Sequence, residues 1–97
     1  MTNQNFAFQQ LDIYIAAREL AAAVHRAGIA DAELRDQATR ASKSVFLGIC
    51  EGLPSEQAGL RRKYFTQANN SLHETVGAVD LACAIGALAP EPAARAV

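Results

Sequence analysis

The sequence has no tryptophan and one methionine, and its aromatic residues are limited to two tyrosines and four phenylalanines. Its apolar half cannot be organised around large aromatic plugs; it implies a core of small side chains and close helix contacts. Neither sign of charge dominates: nine Lys and Arg stand against ten Asp and Glu, for a net charge of −1. That balance argues against a strongly basic nucleic-acid binder, because phosphate neutralisation needs clustered cations. There are only two cysteines, Cys50 and Cys83, with no C-x-x-C and no close Cys/His spacing, so no zinc or other metal site is expected. Both are expected to be free, buried thiols in a reducing cytoplasm. The amino terminus lacks a basic region followed by an apolar one, and the longest strongly apolar run, Leu81 to Ala89, is too short to span a bilayer. A cytoplasmic protein without membrane contact is the expectation. A glycine-rich phosphate loop, an E-x-x-H metal motif and a serine-triad signature are all missing, so no cofactor and no small-molecule substrate are expected.

What is present is a strong helical pattern centred on Arg40 to Gly52, R-A-S-K-S-V-F-L-G-I-C-E-G. The end of this stretch is apolar on nearly every face, and such a helix must be covered on every side. The chain reads as one all-α domain over residues 1–97, an antiparallel up-and-down bundle. The first helix is expected at about 8–27, with Ile13, Ala17, Leu20, Val24 and Ala27 as its stripe, widened by Tyr14 and Ala21. Gly28 suits a left-handed helix end, and Asp31 an N-cap. A second helix, about 32–51, has the seam Leu34, Ala38, Ala41, Val45, Gly48 and Gly52. Gly52 and Pro54 are expected to stop it, and Ser55 to cap a third helix over about 56–88. The seam of that helix is Phe65, Ala68, Leu72, Thr75, Val79 and Ala82, with Gly59, Gly77 and Gly86 as weak points. Pro90, Pro92 and Ala93 to Ala96 carry the start signals of a fourth helix over about 90–97 that is cut short. The expectation is that the gene encodes more than these residues, or that a neighbouring subunit closes the seam.

Two blocks keep a characteristic order and spacing. Arg40, Ala41, Ser44, Val45, Ile49, Glu51 and Gly52 match a pattern R-A-x-x-S-I-x-x-N-I-A-E-G. Phe65, Ala68, Ser71, Leu72 and Glu74 match an aromatic followed by A-x-G-S-x-x-E. With Leu11, Ile13, Tyr14, Ala17, Glu19 and Leu20 on the first helix, the chain resembles, over roughly residues 8–90, a family of small bacterial four-helix-bundle proteins. That family includes proteins encoded in intervening sequences of 23S ribosomal RNA genes. Gly48, Cys50 and Asn70 depart from the pattern, standing where the family often has Asn, Ala and Gly. The resemblance implies a four-helix bundle, here with the fourth helix short or missing, and ring-like homopentamers. It also implies kinship with nucleic-acid-binding accessories of reverse transcriptases.

The polar candidates read as structural. Glu51 lies at the unfavourable negative end of a helix dipole and is expected to pair with Arg18, Arg26 or the Arg61-Arg62-Lys63 run. Arg40 is expected to bridge to Glu74 near Ser71, with Ser44 completing this set. A Cys–His dyad using His25 or His73 has no third orienting group, and no catalytic residue is assigned. The apolar excess at Phe46, Leu47, Ile49 and Cys50, and again at Leu81, Ile85 and Leu88, is expected to form a subunit interface. Arg35, Lys43, Arg61, Arg62 and Lys63, with Arg40, are the candidate phosphate contacts, interleaved with acids that weaken them. The expected function is that of a non-enzymatic, self-assembling helical bundle, a scaffold or partner-binding module. The alternative is a nucleic-acid-binding accessory, associated with the rRNA intervening sequence or a reverse transcriptase, using a symmetric basic surface.

Overall fold

Three helices in antiparallel succession account for nearly all of residues 11–89, the part of the chain described by the computed structural model. They are α1 (Asp12–Ala27), α2 (Ala32–Gly52) and α3 (Ala58–Ala84), and no strand occurs among the described residues. The all-α architecture expected from the periodicity is therefore present. Residues 8–10, expected as the first turn of α1, and 90–97, expected to open a fourth helix, lie outside the described residues.

Local chemistry sets the boundaries. Gly28 ends α1 at φ +61°, and the Asp31 carboxylate accepts the Leu34 amide hydrogen at 2.9 Å to cap α2. The intervening turn is held by Arg35, whose guanidinium donates to the Ile29 carbonyl at 2.9 Å. Pro54 follows the C-cap Leu53 of α2, but Gly52 is not the left-handed stop that its position suggested: it is the last residue of the helix proper. The reason for a glycine there is contact, as described below. Ser55 does not cap α3 either; the N-cap position belongs to Gln57, without a side-chain bond, and the Ser55 hydroxyl donates to the Gln57 carbonyl at 3.4 Å.

At its other end α3 stops four residues short of the expected Leu88. Gly86 takes φ +80°, and the Ala87 amide returns to the Ala82 carbonyl at 2.8 Å while that of Gly86 returns to Cys83 at 3.1 Å. This is the hydrogen-bond pattern of a glycine-terminated helix. The chain then crosses the end of the bundle, where Ala30 donates its amide hydrogen to the Ala87 carbonyl at 2.8 Å.

Packing centres on α2. All six residues of its expected seam are buried, together with Ser42 and Ile49. Each flanking helix packs on it, but no Cα of α1 lies within 8 Å of one in α3. One core cluster, at the α1–α2 turn, joins Val24, Ile29, Leu34, Ala38, Ala78 and Ala82, with Leu88 packed against it. The other, towards the α2–α3 turn, joins Ala17, Val45, Ile49 and Ala68, flanked by Phe46 and Phe65. Ile49 and Leu88, both expected at a subunit interface, thus contribute to the protomer's own core. Conversely, Ile13 and Leu72, expected in the seams, are 50% and 38% exposed, and Ala27 is exposed. Ile13 and Leu72 face the gap between α1 and α3, which no described element covers.

Candidate interaction surfaces

Small residues bring α2 and α3 together. At Gly48, a Cβ would stand 3.1 Å from both the Ala68 Cβ and the Tyr64 carbonyl oxygen. At Gly52 it would stand 2.5 Å from Cε1 of Phe65, so the aromatic ring occupies the space a side chain would need. One turn before Gly48, the Ser71 hydroxyl donates to the Ser44 hydroxyl at 2.9 Å, the one side chain–side chain hydrogen bond between helices among the described residues. Thr75, almost fully buried, returns its hydroxyl to the Ser71 carbonyl at 2.8 Å. Ser44 and Ser71 therefore do fix the α2–α3 contact, but not with the partners expected for the set they belong to.

Arg40 turns to Asp36 on its own helix at 3.2 Å rather than crossing to Glu74. A partner one turn away costs less side-chain ordering than one across a groove. Glu51 is exposed and has no ion pair among the described residues; Arg18, one of its expected partners, lies 4.0 Å from Glu19 instead. An exposed carboxylate is screened by solvent and needs no counter-charge.

The apolar surface has two parts. Phe46 is half-buried, its ring 5.1 Å from that of Tyr14, and Cys50 is half-buried as well. Leu47, Leu81 and Ile85 are exposed. The second part is the seam that three helices were expected to leave open: a groove of 380 Å³ between α1 and α3. Ile13, Ala16, Ala17 and Leu20 form one wall, Val45 and Ile49 the floor, and Phe65, Ala68, Asn69 and Leu72 the other wall. Only Asn69 is polar. The signal for this surface is the pair of seam stripes on α1 and α3, although which residues would stand exposed on its walls is not legible from their spacing.

The basic residues do not form one track. Arg61 and Arg62 line a shallow depression beside Phe65 and Asn69, while Arg40 and Lys43 line a separate cleft with Ser44, Leu47 and Glu51. Lys63 lies 6.0 Å from the Tyr64 ring, and Arg35 is engaged in the α1–α2 turn.

The thiols are also placed differently from expectation: Cys83 is exposed and Cys50 only half-buried. Each sits beside, not within, its helix's contact face. Burial, and next the neighbouring Glu51 charge, push the Cys50 thiol above its ordinary pKa. That favours the protonated form, the reverse of an activated nucleophile. Both cysteines are free thiols, and no group of three metal-ligating side chains occurs among the described residues. No helix among them is long and apolar enough to cross a membrane.

These features define an all-α bundle protein whose distinctive surfaces are apolar contacts. Residues 9–96 match the family described as 23S rRNA-intervening sequence protein. The chain belongs to that family. No curated protein and no solved structure matches it.

Proposed function

We propose that this chain is a non-catalytic, self-assembling helical bundle that serves as a scaffold or partner-binding module. The observation that carries this reading is the groove between α1 and α3, which no element among the described residues covers and which is apolar at nine of its ten lining residues. Apolar surface of this kind gains about 25 cal/mol for each Å² removed from water, so a free protomer is driven towards association. Ile13 and Leu72 on its walls, and the neighbouring Val76 at 58% exposed, extend the patch. Leu47, Leu81 and Ile85 supply further apolar contact. Five is the copy number suggested by the family likeness.

Sedimentation velocity at micromolar concentration tests this. A homo-oligomer is expected, and a stable monomer would overturn the proposal.

The alternative role, as a nucleic-acid-binding accessory, draws on the family's link to an rRNA intervening sequence and on Arg61 and Arg62 sharing one depression. If these residues contact phosphate, affinity falls with salt by a slope of about −0.9 per contact on duplex DNA or −0.7 on single strands. Reversing Arg61, Arg62 and Lys63 together to Glu then abolishes binding. The expected result is weak, non-specific binding at physiological salt; a tight, salt-sensitive complex lost in that variant would make the alternative the better reading.

A further inference from the structure

We propose that the groove between α1 and α3 docks one amphipathic helix of a partner protein, its apolar stripe flanked by bases on one side and acids on the other. This contact rests on the partner-binding reading of the surface and fixes the partner's chemistry.

The lining decides the occupant's conformation. Asn69 is its one polar residue, so an extended segment would bury backbone N–H and C=O groups without partners. A helix satisfies those groups internally and presents a single apolar stripe. The lined length, from Ile13 to Leu20 on α1 and from Phe65 to Leu72 on α3, is about 10 Å, or about two helical turns.

The edges decide its charge. On α1, Asp12 and Glu19 share one line of the helix with the groove residue Ala16, at spacings of four and three, and all three are exposed. On α3, Arg61 and Arg62 stand one turn before Phe65, in the depression that shares Phe65 and Asn69 with the groove. Glu19 has only its neighbour Arg18, at 4.0 Å, and Asp12, Arg61 and Arg62 have no ion pair, among the described residues. One edge is therefore acidic and the other basic, over an uncharged floor. A docked helix meets them with Lys or Arg facing α1 and Asp or Glu facing α3, as flanking charges do in paired helices. Beyond Leu20 and Leu72 the signs exchange, Arg26 following on α1 and Asp80 on α3, so the pattern holds only along the groove. Neither terminal segment carries the complement. Residues 1–10 have no charged side chain, and residues 90–97 have only Glu91 and Arg95, four apart and so on one face of a helix.

The test titrates the full chain into labelled synthetic peptides of about 14 residues, two heptads with Leu at a and d, and reads fluorescence anisotropy. One peptide carries Glu on one flank and Lys on the other over two turns; the controls carry Lys, or Glu, on both flanks. The mixed peptide is expected to bind at least about tenfold tighter than either control at low salt, the margin narrowing as salt rises. Replacing Arg61 and Arg62 together by Glu makes both edges acidic and should transfer the preference to the all-Lys peptide. Leu72→Glu should weaken every peptide at least about tenfold, by forcing a carboxylate into an apolar contact. Helical circular dichroism checks its folding, and Leu72→Ser takes its place if the helix is lost. Equal affinities for the three peptides, or a preference unmoved by the double arginine replacement, would overturn the proposal. So would no binding at all, the outcome if this chain's own segments or a second copy fill the groove. Sedimentation velocity of the chain alone separates the two readings. A monomer that binds the mixed peptide removes self-assembly and keeps this contact; an oligomer that binds no peptide does the reverse.

Discussion

Replacing Gly48 by alanine tests whether the close approach of α2 to α3 is a real constraint. In an exposed helix interior, Gly→Ala stabilises by about 0.8–1.0 kcal/mol, because glycine loses the most backbone freedom on folding. Gly77, where an added Cβ meets nothing within 4 Å, is the control: Gly77→Ala should stabilise by about that amount. At Gly48 the same methyl group meets the Ala68 Cβ and the Tyr64 carbonyl oxygen at 3.1 Å, and the Ala68 Cα at 3.5 Å. Two of these are backbone atoms of α3, so relief requires the helices to separate by a few tenths of an ångström rather than a side chain to turn. Overpacking of this kind costs about 1–3 kcal/mol. Subtracting the helix-propensity gain leaves Gly48→Ala less stable than wild type by up to about 2 kcal/mol. A difference of about 1 kcal/mol is worth about 4–8 °C in a domain of this size. Thermal melts of wild type and both variants at one protein concentration, which keeps association constant between samples, should place Gly77→Ala above wild type and Gly48→Ala below it. If Gly48→Ala rises as far as Gly77→Ala, the α2–α3 approach described here is wrong.

Three other outcomes are expected. In a double-mutant cycle, Ser44→Ala and Ser71→Ala should couple by about 0.5–1 kcal/mol in urea unfolding, as a hydroxyl pair at a partly exposed contact predicts; a coupling of zero would show the bond is not formed in solution. Because the Cys50 thiol has a raised pKa in the folded chain, its contribution to stability is present below the ordinary thiol pKa and is lost as pH rises through the folded value. Wild type should therefore lose stability relative to Cys50→Ala on the alkaline side of the thiol range, and a pH-independent difference would contradict this. Glu51→Gln should stabilise by a few tenths to about 1 kcal/mol, since an exposed acid near the negative end of α2 loses its charge without losing an ion pair; clear destabilisation would reveal a hidden partner.

The sequence pattern was read most reliably where a helix has neighbours on two sides. Every residue of the α2 seam, from Leu34 to Gly52, is buried because α1 and α3 both pack on that helix. The stripes on α1 and α3 contain the same kind of information, but periodicity marks which face is apolar and not what covers it. Ile13 and Leu72 therefore appeared as core and are in fact exposed groove walls. Ile49 shows the converse: where a helix end is apolar all round, spacing cannot separate core from outer surface, and Ile49 joined the core while Leu47 stayed outside. Ser44 and Ser71 stood out through their place in the two blocks, but their mutual bond depends on interhelical distance. A glycine near a helix end, such as Gly52, has two physical uses, termination and close contact. Only the position of the Phe65 ring separates them.

The unequal support of the helices also bears on how the protein opens. α2 and α3 are joined along their length by interlocked small residues, a hydroxyl pair and a short turn. α1 lies against α2, with its backbone held away from α3. The molecule therefore divides into a hairpin and a leaf. In native-state hydrogen exchange the leaf should be a separate, low-energy opening unit, its amides exchanging before those of the hairpin. Gly28 stands where the leaf meets the hairpin, and the Ala30 amide, bonded across the bundle end to Ala87, lies on the hairpin side and should exchange with it.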